Sequence, residues 1–94
     1  MSDLENDDAG SDATAATAHG VLDYVARQIV DEPDAVEIDV EERRHGGVEL
    51  RLHVAPDDMG KIIGRRGRVA QAVRTVVRAA GAKDGVEASV DIVD

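Results

Sequence analysis

The basic segment, residues 59–81, most constrains what this chain can fold into and bind. It reads MGKIIGRRGRVAQAVRTVVRAAG and carries six basic side chains and no acidic one. The rest of the chain holds the other five Lys and Arg residues and all 20 Asp and Glu residues, within a formal net charge of -9. At the centre of the segment, Gly64-Arg65-Arg66-Gly67 separates two helical patterns. This segregation of charge predicts a polyanionic ligand at a glycine-containing turn between two helices.

A helix is predicted on each side of this turn. The first spans Pro56–Ile63, because Pro suits the first helical turn and the two Asp residues after it lie at the positive end of the helix dipole. Gly64 is expected to end that helix in a left-handed conformation. The second helix is predicted to begin at Gly67 or Arg68 and to end at Gly81. Its predicted buried stripe consists of Val69, Val73, Val76 and Ala80.

One earlier helix and three strands complete the predicted fold. Helical spacing predicts a helix over 17–30, with Thr17 as the N-cap and a buried stripe of Ala18, Leu22, Val25 and Ile29. Alternating apolar and polar residues predict strands over 35–43, 48–54 and 86–93, and His45-Gly46-Gly47 is expected to turn the first two into a hairpin. The order α-β-β-α-α-β predicts an α+β domain. Its helices are expected to cover one face of a three-stranded mixed sheet, with the last strand parallel to a hairpin strand.

Composition bounds the remaining possibilities. Residues 1–16 contain five acids and almost no large apolar side chain, which predicts a disordered acidic tail before a domain over 17–94. Tyr24 is the one aromatic residue apart from three histidines, so the core must be built from Val, Ile, Leu and Ala, and a dimer interface would help to stabilise it. We expect Tyr24 to be partly buried. The chain has no Cys, no run long enough to cross a membrane and no signal-peptide pattern, which fits a cytoplasmic protein.

The turn has the chemistry of a phosphate site. Glycine lacks Cβ, so a nucleotide backbone can approach closely, and the free N–H groups that begin the second helix favour an anion. Arg65 and Arg66 can each donate two N–H bonds to one phosphate. Bases would then lie on an apolar floor that includes Ile62 or Ile63. The predicted RNA-contacting residues are Lys61, Ile63, Gly64, Arg65, Arg66, Gly67, Arg68, Ala70, Gln71, Val73 and Arg74. Without aromatic rings, we expect weak binding to single strands with low base specificity.

These residues, in this order of elements, resemble the type II KH domain. The core Ile63-Gly64-Arg65-Arg66-Gly67 is similar to the KH signature, whose loop clamps about four nucleotides of backbone. The stretch VAPDDMGKIIGRRGRVAQAVRTVVRAA resembles more closely the small single-KH bacterial RNA-binding proteins of the KhpA (YlqC-like) family, and the resemblance covers residues 17–94. It implies a cytoplasmic RNA chaperone or post-transcriptional regulator that forms homodimers and pairs with a larger KH-containing partner of the KhpB type. Ala70 departs from the pattern, because many KH domains carry a bulky aliphatic residue there.

Two other function classes remain open on the sequence alone. Two helices around a glycine-containing turn also fit a helix-turn-helix DNA binder, although the first helix is short for that role. The chain could also serve as a protein–protein assembly module through its last helix or a sheet edge. No P-loop, nucleophile–base set or metal cluster stands out, so we expect neither an enzyme nor a bound cofactor or metal.

Overall fold

The computed structural model describes residues 2–44 and 46–94, with side chains from residue 15 onward. Within these residues the chain forms three helices and three strands in the predicted order α-β-β-α-α-β. The elements are α1 (Ser2–Ile29), β1 (Glu37–Glu42), β2 (Val48–His53), α2 (Met59–Ile63), α3 (Arg68–Lys83) and β3 (Ala88–Ile92). Three single 3-10 turns, Pro33–Ala35, Pro56–Asp58 and Arg65–Gly67, precede β1, α2 and α3.

The strands form the mixed sheet that the sequence predicts. Their order is β1-β2-β3, with β1 antiparallel to β2 and β3 parallel to it. Strand β2 therefore lies in the middle, and β3 reaches its place through the crossover formed by α2 and α3. Because β2 and β3 run the same way, α3 runs back along the sheet from its α2 end toward the β1–β2 turn. His45, in that predicted turn, lies outside the described residues.

The predicted helical stripes are correct in period but partly wrong in phase. On α1 the buried residues are Ala15, Ala18, Leu22 and Ala26, with Val30 just beyond, whereas Val25 and Ile29 are half-buried. On α3 they are Ala70, Val73, Val77 and Gly81, whereas Val76 is exposed. Apart from Leu22 on α1 and Val73 and Val77 on α3, the buried positions within these two helices are Ala or Gly, and such small residues let a helix pack closely on its neighbours. The larger Val and Ile side chains lie along the seam between α1 and α3.

Helix α1 starts earlier than its predicted N-cap, Thr17. Of the predicted disordered tail, residues 2–16 belong to α1, and Ala15 is buried in the core. Side chains are described only from residue 15 onward, and the domain boundary between residues 16 and 17 stays a prediction. Tyr24 is 66% exposed, which corrects the expectation of partial burial.

Gly81 does not end α3, which continues to Lys83. Instead, Gly81 is a point of close approach between α3 and the chain entering β3. A Cβ at this position would lie 2.9 Å from the backbone oxygen of Val86 and 2.9 Å from the Cβ of Ala88. The helix and the strand can therefore pack together here because residue 81 has no side chain.

Candidate nucleic-acid interface

The turn between α2 and α3 has a backbone that few residue types can adopt. Gly64 follows α2 with φ 76° and ψ 173°, and its N–H donates to the carbonyl of Gly60 at 2.8 Å. The positive φ confirms the need for glycine, but the ψ differs from the left-handed conformation that we predicted. Arg66 (φ 59°, ψ 26°) and Gly67 (φ 72°, ψ 14°) are the left-handed residues of the turn. A left-handed arginine is uncommon and often marks a functional turn.

Gly64 also lets the turn pack against the first turn of α3. A Cβ on Gly64 would lie 2.3 Å from Cγ2 of Val69 and 2.8 Å from its backbone nitrogen. By contrast, a Cβ on Gly67 would meet nothing within 4 Å. The two glycines thus have different roles. Gly64 fixes the loop against α3, whereas Gly67 leaves open space at the start of that helix.

Ion pairing separates the basic residues of the described chain into two groups. Arg27, Arg43, Arg51 and Lys61 each contact a carboxylate within 4.0 Å. In the same part of the chain, the basic residues without such a contact are Arg44, Arg65, Arg66, Arg68, Arg74, Arg78 and Lys83. All but Arg44 lie on the loop or on α3, and all are exposed. The uncompensated positive charge is therefore concentrated where the sequence predicts a polyanion.

Lys61 is the predicted contact residue that the protein engages itself. Its ammonium group forms an ion pair with Asp31, in the connection between α1 and β1. The hydrogen bond that Lys61 donates to Asp31, with smaller contributions from the charges of Asp31 and Asp58, raises the pKa of Lys61 above its ordinary value of 10.5, while desolvation opposes this. A phosphate would have to compete with Asp31 for this side chain.

Asp58 does more than lie at the positive end of the helix dipole, which is the role that the sequence predicts for it. No side-chain capping bond forms at the start of α2 within the described residues. Asp58 is 1% exposed, and its two carboxylate oxygens accept the backbone N–H groups of Asp31 and Glu32 at 3.1 Å each. This buried carboxylate joins the end of α1 to the start of α2, and so fixes the base of the loop. Sequence reasoning missed it because the partners lie 26 and 27 positions away.

The predicted apolar floor is only partly accessible. Ile63, beside the loop, is 40% exposed, but Ile62, Ala70 and Val73 are buried core residues. Gln71 and Arg74 are exposed on α3, and Nε of Arg74 donates to the carbonyl of Val90 in β3 at 3.4 Å. The structure therefore brings Ile63, Arg65, Arg66, Gln71 and Arg74 to the surface around the turn.

The α1–α3 groove is a second surface feature, and the sequence analysis did not predict that its residues lie together. It has a volume of about 290 Å³ and is lined by Val25, Ile29, Arg68, Val69, Ala72, Val73 and Val76. Val76 is 46% exposed. The signal was present in the sequence, since α1 and α3 have more large apolar residues than one buried stripe needs, but only their packing shows which remain outside.

Neither a metal site nor a membrane-spanning helix is found in the described part of the chain. No group of three or more His, Cys, Asp or Glu residues there is arranged to hold a metal ion. None of its helices combines the length and the apolar character needed to cross a bilayer.

The fold and the loop define the class of protein. An α-β-β-α-α-β order, a mixed sheet with β2 in the middle, and a Gly-x-x-Gly turn between α2 and α3 together constitute a type II KH domain. The family model described as "KhpA/KhpB, KH domain" matches residues 20–92. The chain belongs to this KhpA/KhpB family of KH domains.

Curated relatives agree with this assignment. The RNA-binding protein KhpA of Caldanaerobacter subterraneus subsp. tengcongensis is 48% identical over 69 residues, which cover 73% of this chain and 91% of the relative. That of Streptomyces coelicolor is 50% identical over 74 residues, covering 78% and 87%. That of Mycobacterium tuberculosis is 42% identical over 80 residues, covering 85% and 95%. No solved structure gave a significant match.

Proposed function

We propose that this chain is a non-enzymatic RNA-binding protein that holds single-stranded RNA at the Gly64–Gly67 loop. The observation that carries the proposal is the selective pairing of positive charge. Basic side chains on the sheet and α1 contact carboxylates, whereas those of the loop and α3 have no carboxylate contact among the described residues. The curated relatives bear the name RNA-binding protein, which supports the same ligand class.

The loop geometry supports direct contact with the sugar-phosphate backbone. Arg65 and Arg66 are both exposed within the turn, and Gly67 leaves open space before α3. Within the described residues no side chain caps the start of α3, although the N–H of Arg68 donates to the carbonyl of Arg65. The positive end of the α3 dipole therefore lies beside the arginines without a side-chain cap, which favours an anion there. Ile63 offers an exposed apolar surface for a base. With no aromatic ring at the loop for stacking, binding is expected to be weak and tolerant of sequence, as suits an RNA chaperone or a broad post-transcriptional regulator.

A salt-dependent titration tests this proposal. Fluorescence anisotropy with single-stranded RNA should give a slope of log K against log salt of about -1.4 to -2.8, which corresponds to two to four phosphate contacts. The double change Arg65→Asp and Arg66→Asp should abolish binding without unfolding the domain. The matched control, Arg44→Asp with Lys83→Asp, alters the net charge equally and should retain most of the affinity.

Two outcomes would contradict the proposal. If the loop variant binds RNA as tightly as the wild type, the loop is not the site. If duplex DNA displaces single-stranded RNA at equal concentration, the helix-turn-helix alternative is favoured instead.

We further propose that a second copy of the chain covers the α1–α3 groove. Val25, Ile29, Val69 and Val76 form a continuous apolar surface whose one charged lining residue is Arg68, at its loop end. A two-fold dimer would place Val76 of each copy against the groove of the other, so that one surface serves both copies. Because the chain has no Phe or Trp, its own core buries little apolar area per residue, and the area buried in a dimer would add to its stability. The groove lies on the seam with α1, whereas Arg74 points to β3, so dimerisation would leave the Arg74 side of α3 free.

A pair of valines provides the test of the dimer. Val76 and Val40 are exposed to similar extents, 46% and 44%, but Val40 lies on β1, away from the groove. Light scattering after size exclusion should give a dimer for the wild type and for Val40→Glu, and a monomer for Val76→Glu. A monomeric wild type at every concentration, or a dimeric Val76→Glu variant, would exclude this interface.

The family description supports a further partner. Because the matching family model includes KhpB domains, we propose that a larger KH-containing protein of the KhpB type can occupy the same groove, and that both act in the cytoplasm. Co-purification of the two proteins should then be lost with Val76→Glu and retained with Val40→Glu.

A further inference from the structure

Helix α3 presents two chemically different faces to solvent. Val69, Ala72 and Val76 line the α1–α3 groove. Arg74 and Arg78 are four residues apart and therefore share another face, which Gln71 extends toward the loop. The bond from Arg74 to the carbonyl of Val90 shows that this second face lies beside β3.

Strand β3 is an outer strand of the sheet, so one of its edges is not paired within the described chain. The carbonyl of Glu87 and the N–H of Val93 bond to β2. In a pair of parallel strands, every second residue directs its N–H and C=O groups toward the neighbouring strand, as odd-numbered residues of β3 do here. The even-numbered residues direct these groups away from β2. Val90 is one of them, and its carbonyl is the group that Arg74 contacts. Arg74 therefore borders this open edge, and Arg78 continues the row one turn further along the same face of α3.

Arg78 lies beyond the reach of a strand held only by the loop. Between Gly67 and Arg78 the helix rises about 17 Å, at 1.5 Å per residue. At about 3.4 Å per nucleotide, the spacing along one strand of a duplex, four nucleotides centred on the loop end short of Arg78. A strand of about ten nucleotides is long enough to lie on both.

The charge around this row favours an anion. Helix α3 contains no acidic residue, and both arginines are exposed. Neither has a carboxylate contact among the described residues. On the outer face of the sheet, Glu41 and Glu49 pair with Arg51, and Asp39 bonds His53. Glu87 and Asp91, on or just before β3, are exposed on that outer face and have no ion pair among the described residues, so they are the nearest acidic groups that an anion at this row would meet.

We infer that Arg78, together with Arg74, forms a second phosphate-binding position, so that the protein contacts a single strand longer than the four nucleotides of the loop. This inference rests on the proposed RNA binding at the loop. Its specific claim is that Arg78 contributes to the binding of long strands and not to that of short ones.

Strand length separates this inference from the proposal on which it rests. Oligouridylates of 4 and 10 nucleotides are titrated against the full chain at several salt concentrations. The variant Arg78→Gln should weaken binding of the 10-mer about two- to fivefold, as expected for one exposed charge contact, and should reduce its salt slope by about 0.7. Binding of the 4-mer should be unchanged.

Lys83→Gln is the matched control. It removes one positive charge from the same helix, five positions beyond Arg78 and about 140° around the axis, and should alter neither titration. The inference is overturned if Arg78→Gln leaves the 10-mer slope unchanged, if it weakens both lengths equally, or if Lys83→Gln has the same effect. If the wild type binds neither strand, both the inference and the loop proposal fail. If Arg65→Asp with Arg66→Asp abolishes binding of both lengths while Arg78→Gln has no effect, the loop proposal alone survives.

Discussion

Replacing Gly64 with alanine is expected to destabilise the domain several times more than the same change at Gly67, although both residues have positive φ. At Gly64 (φ 76°, ψ 173°) the backbone lies in a region almost restricted to glycine, which costs an L-residue about 1–3 kcal/mol. The new Cβ would also be 2.3 Å from Cγ2 of Val69 and 2.8 Å from its backbone nitrogen, and such overpacking costs a further ~1–3 kcal/mol. At Gly67 (φ 72°, ψ 14°) the space is open, and the left-handed conformation alone costs alanine about 1 kcal/mol.

Thermal and urea denaturation followed by circular dichroism measure the difference. In a domain of this size a loss of 1 kcal/mol lowers Tm by about 4–8 °C, so Gly67→Ala should fall in that range and Gly64→Ala should lose at least twice as much. Combining Gly64→Ala with Val69→Ala removes the nearest clashing atom and should recover part of the loss in a double-mutant cycle. Equal losses at the two glycines, or no coupling with Val69, would refute the account of the loop packing against α3.

The remaining predictions concern the base of the loop. Asp58→Ala should cost about 2–4 kcal/mol, because it leaves two partly buried N–H groups without their charged acceptor. The same change at its exposed neighbour, Asp57→Ala, should cost under ~0.5 kcal/mol. Urea denaturation measures both losses, and similar values would contradict the role of Asp58 in joining α1 to α2. Asp31→Asn should lower the pKa of Lys61 toward 10.5, which a titration of the Lys61 side chain by NMR measures. Because the pKa of Lys61 is raised on folding, the stability it contributes is present below its unfolded pKa and is lost as pH rises through the higher folded value. A Lys61 pKa that does not respond to Asp31→Asn would contradict the ion pair.

Local sequence patterns predicted the order of elements and the loop correctly. The alternation in 48–54, the helical spacing after Gly67 and the Gly-x-x-Gly turn depend on neighbours within a few positions, and the structure confirms β2, α3 and the turn at those places. The separation of charge was also visible, since it needs only a count of residues along the chain. What it could not reveal is which of the basic residues would be engaged by distant carboxylates.

The sequence alone determined that this chain forms an α+β domain with a glycine turn at the centre of its positive charge, because periodicity, turn residues and charge are local properties. Tertiary structure decided the rest. It buried Ala26 and left Val76 outside, it paired Lys61 with Asp31, and it buried Asp58, whose carboxylate binds the chain just after α1. Each of these outcomes depends on distances between residues far apart in the chain. Those distances are set by how closely the helices pack on the sheet, and no local pattern encodes them.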